Sequence, residues 1–220
     1  MNDLFAETGL KFFGAMNASI SHEIKNRMAV MNEQAGLLKD LVHQAENGRE
    51  MNLERLKRLA ESLKTQVTLT DGIIRNMNRF AHSVDNFQCP SDLCEVLSLM
   101  AALSKRTADN KGVRIELRLP EPSVSIDTAP FLLMNLIWLC LEALMPFADL
   151  VNPVTMGCEK VAYGAIVWLS AGLWPEKVAP VIPDAAFQVA NALQAEVDLN
   201  QGEKMLKFGL PAKHTKRSEG

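Results

Sequence analysis

The stretch MNASISHEIKNRMAVMNEQAGLLKDLV, residues 16–42, decides the fold. Within it Met16, Ile20, Ile24, Met28, Met31, Ala35, Leu38 and Val42 recur at intervals of three or four, which draws one apolar stripe down a long helix. The run Glu46-Asn47-Gly48-Arg49-Glu50 interrupts this pattern with Asn and Gly, residues that end helices because they tolerate left-handed backbone, so a turn is expected there. A second helix follows, where Leu53, Leu56, Ala60, Leu63, Val67, Thr70, Ile74, Met77, Ala81 and Val84 keep a three-four alternation for about nine turns. Two long helices with a short connection pack antiparallel. One hairpin alone leaves half of each stripe exposed, and a second hairpin completing a four-helix bundle covers it, so a homodimer is expected.

The pattern changes at Gln88-Cys89-Pro90-Ser91-Asp92, where Pro and a Ser/Asp pair mark a linker and a new helix start. The predicted domains are therefore 1–88, the helical hairpin, and 89–220. In the second, helices are expected over 93–110, 128–144 and 184–195, and strands over 113–119, 154–159, 163–170, 196–200 and 204–209. Helices segregated from a mostly antiparallel sheet make a two-layer α/β sandwich, so the class is α+β: a long antiparallel hairpin followed by that sandwich. The tail, 213–220, is polar and reads as a frayed end.

The chain has 220 residues, 48% of them apolar, ample for a packed core. Its net charge of -3 does not suggest a nucleic-acid partner, whose phosphates favour a basic surface. Cys89, Cys94, Cys140 and Cys158 form no CxxC pair, so neither a zinc site nor a disulfide framework is indicated and reduced cytoplasmic thiols are the plain reading. The most apolar run, 131–147, is interrupted by Asn135, Glu142 and Pro146, and the first residues do not read as a secretory signal. A cytoplasmic protein without membrane insertion is expected. Trp138, Trp168 and Trp174 read as core residues before interface residues.

With Ile20 and Ile24 facing inward, His22 lies on the opposite side of its helix and points to water. Asn26, four residues on, shares its face, with Lys25 beside it, while Ala15, Ala18 and Ser19 cover the preceding turns and leave room for a partner. An exposed neutral imidazole suits attack on phosphorus, and Glu23 could orient the ring or take up its proton.

The run Ser21-His22-Glu23-Ile24-Lys25-Asn26 resembles the H-box of sensor histidine kinases, S-H-E-[IL]-[KR]-[NT]-P, except that Arg27 replaces the Pro. Residues after 88 resemble that family's ATPase domain in order and length. Its magnesium-binding motif N-L-[LI]-x-N-A reads here Asn135-Leu136-Ile137-Trp138-Leu139-Cys140, with Leu139 in place of the ligand Asn. Its adenine-reading D-x-G-x-G reads Ser170-Ala171-Gly172-Leu173-Trp174, without the Asp. Between Trp174 and Val189, where the glycine-rich lid belongs, stand Pro175, Pro180 and Pro183 and no glycine. The closer resemblance is then to dimeric histidine phosphotransferases with a vestigial ATPase domain. It implies His22, Glu23 and Asn26 as catalytic residues, and Ser19, Lys25, Ala15 and Ala18 against response-regulator receiver domains. It also implies no bound cofactor or metal: ATP is not bound, and the partner receiver supplies magnesium. Other readings are a response-regulator phosphatase acting through Glu23 and Asn26, a non-catalytic scaffold, and an ATP-dependent kinase.

Overall fold

The computed structural model describes residues 2–177, 179 and 181–213; the polar tail at 214–220 and Pro180 lie outside the described residues. Helix α1 spans Asn2–Glu46 and helix α2 Leu53–Ala81. By contact density the chain divides into two compact units, 17–79 and the remainder.

In the unit 17–79 the helices run antiparallel, as the side-chain pairs Arg27 with Gln66 and Gln34 with Ser62 require. The turn falls where Asn and Gly were read. Gly48 takes φ +78°, a left-handed conformation that costs glycine nothing, and its N–H donates to the carbonyl of Ala45 at 3.0 Å. The predicted stripes split into two rows. On α2, Leu56, Leu63, Thr70 and Met77 are half-buried, while Leu53, Ala60, Val67 and Ile74, spaced by seven, are exposed. On α1, Ile20 and Leu41 are buried and Ile24, Met31 and Leu38 half-buried, whereas Met28, Ala35 and Val42, again spaced by seven, face solvent. Each helix therefore carries one row used within the hairpin and one left bare.

The other unit begins in the first turns of α1, which starts at Asn2 rather than near residue 16. Phe12 and Met16 extend the four-residue spacing of Ile20 backwards, and both are buried. The Phe12 ring meets the edge of Phe80 at 5.4 Å, with Phe131 at 5.5 Å and Trp138 at 6.4 Å. Phe13 stacks on the other side of Phe80 at 5.5 Å. A 3₁₀ turn, His82–Val84, ends the helical segment.

Two short strands not expected from the sequence follow: β1 (Cys89–Asp92) pairs antiparallel with β3 (Ser125–Thr128). Helix α3 (Leu93–Asn110) starts where Asp92 was read as a cap. The Asp92 carboxylate accepts from the amides of Cys94 at 2.8 Å and Glu95 at 3.3 Å. Strand β2 (Ile115–Arg118), α4 (Pro130–Leu144), β4 (Val154–Val161), β5 (Gly164–Ala171), α5 (Asp184–Ala192), β6 (Glu196–Asn200) and β7 (Met205–Pro211) complete the sandwich. The sheet order is β2-β4-β5-β7-β6, antiparallel throughout except for the parallel β2–β4 pair. Inward positions alternate along its strands: Val154, Met156 and Cys158 on β4, Ala165, Val167 and Leu169 on β5, Leu206, Phe208 and Leu210 on β7.

Helix α4 touches α3, α5 and β5, and ten of its residues, from Leu132 to Leu144, are buried. Contrary to expectation, Pro130–Phe147 does have the length and composition of a membrane-crossing helix despite Asn135, Glu142 and Pro146. In this fold it is the core helix instead, and all-round burial explains its all-round hydrophobicity.

On the outer face of the sheet, Trp168 lies opposite Gly157. A Cβ at position 157 would stand 2.4 Å from the Arg118 carbonyl oxygen and 2.5 Å from the Trp168 ring. The carbonyl belongs to the strand paired with β4 and cannot retreat without breaking that ladder. Gly157→Ala should destabilise the sandwich by about 1–3 kcal/mol, measured as a lowered denaturant midpoint; an unchanged midpoint would show that the ring and β2 yield freely.

Candidate functional site

His22 occupies the exposed face of α1, and the buried Ile20 and half-buried Ile24 on either side fix that rotation. Its ring makes no hydrogen bond to any described residue. Ala18, one turn before, and Asn26, one turn after, are exposed on the same face, as is Lys25. Ser19 and Ala15 are half-buried. On the side of the preceding turns the imidazole thus stands among side chains too small to cover it, Ala15, Ala18 and Ser19.

Glu23 departs from the expected arrangement. Its carboxylate is half-buried and lies 3.8 Å from the Arg27 guanidinium, one turn further on. Arg27 also donates to the Gln66 side-chain oxygen of α2 at 3.5 Å. Its Nε is buried without a partner. The carboxylate is therefore directed along the helix toward Arg27 and is not hydrogen-bonded to the His22 ring. Nothing in the sequence marks Gln66 as part of this arrangement. The Glu–Arg spacing of four was visible as an ordinary helical ion pair, but position 27 drew notice only for its missing Pro. With Arg there α1 continues unbroken through residue 27.

A groove of about 410 Å³ lies between α1 and α2, lined by Glu33, Gln34, Leu37, Arg55, Arg58, Leu59 and Ser62. None of His22, Glu23 or Asn26 lines it. No group of three or more His, Cys, Asp or Glu side chains able to hold a metal occurs among the described residues.

In the sandwich, Leu139 is half-buried on α4 and offers no metal ligand. Ser170 donates its hydroxyl to the Lys204 carbonyl at 2.7 Å, and Ala171 is buried at the end of β5. Gly172 is backed against Asn152, with no room for even a Cβ. Beyond it, Trp174 donates to the Gln201 side-chain oxygen at 3.2 Å, and the Gln201 amide donates to the carbonyls of Pro175 at 2.9 Å and Glu176 at 2.7 Å. The β6–β7 turn thereby pins the start of the Pro-rich segment. Trp138 is buried, consistent with its aromatic contacts, whereas Trp168 and Trp174 are partly exposed.

No protein-family model matches the chain, and no curated protein matches it in sequence. In fold, it is similar to histidine-kinase cores. Acinetobacter baumannii histidine kinase AdeS is 13% identical with a TM-score of 0.47, over 88% of this chain and 98% of AdeS. The cytoplasmic segment of histidine kinase QseC is 18% identical with a TM-score of 0.43, over 76% of this chain and 98% of that segment. A bacterial phosphotransferase is 11% identical with a TM-score of 0.46, over 90% of this chain and 95% of that protein.

Proposed function

We propose that this chain is a histidine phosphotransfer protein of two-component signalling, with response-regulator receiver domains as partners and a cytoplasmic place of work. His22 accepts the phosphoryl group of a receiver's aspartyl phosphate and passes it to the aspartate of another. In the first step the bond from phosphorus to the aspartyl oxygen breaks and one to an imidazole nitrogen forms, releasing the aspartate as carboxylate. Magnesium held by the receiver offsets charge on the phosphoryl oxygens. The observation that carries this reading is the uncovered His22 ring within the run Ser21-His22-Glu23-Ile24-Lys25-Asn26.

The residues present do not fit a nucleotide. Leu139 cannot ligate magnesium, neither Ser170 nor Ala171 supplies a carboxylate for an amino group, and the Pro-rich strap lacks the glycines that let backbone amides approach phosphate. The phosphate therefore comes from a receiver and not from ATP. Incubation with a phosphorylated receiver should leave acid-labile phosphate on this chain, and incubation with Mg-ATP alone should leave none. Labelling from Mg-ATP alone, or no labelling from any receiver, would refute the proposal. The exposure of Asn26 beside His22 favours a second reading, phosphatase action on the receiver through a positioned water; dephosphorylation that survives Asn26→Ala would exclude it.

The bare rows support a homodimer. Val67, 58% exposed, lies mid-way along the α2 row, and Met28, also 58% exposed, lies on the α1 row. Val67→Glu should place a charge in the seam of the proposed four-helix bundle and convert the dimer to monomer at micromolar concentration. Light scattering after size exclusion reads this directly, and a dimer that persists would show that the row is not the interface.

A further inference from the structure

Four cysteines lie in unrelated sequence contexts, yet the fold brings two of them together. The Sγ atoms of Cys94 and Cys158 are 3.8 Å apart although the residues are 64 positions apart. Cys94 is in the first turn of α3 and Cys158 is an inward residue of β4, so the contact joins the helical layer to the sheet. Cys94 is half-buried; Cys158 is buried, and that burial together with the neighbouring Cys94 pushes its thiol up to about 12. The other two have no such neighbour: Cys140 is wholly buried in α4, and the Cys89 sulfur lies 3.8 Å from the Ser91 hydroxyl.

We propose that Cys94 and Cys158 are a dithiol modification site, which hydrogen peroxide converts to an intramolecular disulfide. Cys94 meets the oxidant first, because it is the less buried residue of the two. Its sulfur attacks one oxygen of the peroxide and the O–O bond breaks; the sulfur is oxidised to a sulfenic acid and the second oxygen leaves as water. The Cys158 thiol, already touching that sulfur, displaces the sulfenic hydroxyl, which departs with the Cys158 proton as a second water. Two thiols and one peroxide give one disulfide and two waters. Cys158, buried and already in contact with the Cys94 sulfur, is placed for this second role and not for the first. The resulting bond ties α3 to β4 and closes a long loop in the unfolded chain, which raises stability. This assignment is independent of any chemistry at His22.

The test uses the full, reduced chain treated with hydrogen peroxide at low excess, followed by alkylation of remaining thiols and peptide mapping. The expected result is a single cross-link between the peptides containing Cys94 and Cys158, with the mass of two hydrogens lost. The melting temperature should rise by roughly 5–15 °C and return on adding dithiothreitol. Cys94→Ala and Cys158→Ala should each lose both effects, and Cys89→Ala should keep both. A second measurement needs no substitution: phenylarsine oxide, which bridges two adjacent thiols, should add once per chain and protect Cys94 and Cys158 together from alkylation. Oxidation of Cys94 to a sulfinic acid with Cys158 still free, a cross-link through Cys89 or between two chains, or failure of the arsenical to protect the pair would each overturn the proposal.

Discussion

His22→Gln is expected to abolish phosphate flow through the protein, lowering transfer from a phosphorylated receiver by about a thousandfold or more, as removal of a nucleophile does. Gln keeps size, polarity and helix preference at a site already facing water, so folding should be untouched. Helical circular dichroism and the oligomeric state therefore serve as internal controls. Glu23→Gln should act more gently. Its carboxylate is paired with Arg27 at 3.8 Å instead of with the ring, so the change removes a nearby charge without releasing a hydrogen bond to His22. A loss as deep as that of His22→Gln would mean that Glu23 swings to the ring when the receiver docks. Transfer at the normal rate by His22→Gln would end the phosphotransfer reading.

Phe80→Ala should produce the largest loss of stability of any single change considered. Phe80 is 1% exposed and its ring is flanked by Phe12, Phe13 and Phe131, at 5.4, 5.5 and 6.2 Å. Truncation removes the ring and leaves a cavity that three aromatic neighbours on two helices cannot all close, at a cost of about 3–5 kcal/mol. Thermal melting should fall by roughly 10 °C. The pair Phe12→Ala and Phe80→Ala should be non-additive by about 0.5–1.5 kcal/mol, the coupling of an edge-on aromatic pair. Additive losses would show that the two rings merely share a neighbourhood.

Much of this architecture is legible in the residues. The bounds of α3 at 93–110 and β6 at 196–200 follow directly from periodicity and capping. The turn at Gly48 follows from the αL preference of glycine. The short strands β1 and β3 do not: Cys89-Pro90-Ser91-Asp92 has no alternation of apolar and polar residues, and its strand character comes from pairing with residues distant in sequence, such as Asp127 opposite Pro90. The first fourteen residues of α1 were less legible: Phe12 keeps the four-residue spacing of Met16 and Ile20, but its partners Phe80, Phe131 and Trp138 lie on other helices, which a single-helix pattern does not contain. At the site, the rotation of His22 follows from Ile20 and Ile24. The direction of Glu23 does not, since it depends on Arg27 and on Gln66 from another helix. For the same reason no spacing rule could pair Cys94 with Cys158.

The seven-residue rows of bare apolar side chains on α1 and α2 carry a thermodynamic corollary. If the proposed twin chain covers these rows, the fold obeys mass action and its melting point should climb with protein concentration, in contrast to that of a self-sufficient domain. Dilution would then act as a mild denaturant, and the quantity of protein in the tube would become part of its stability.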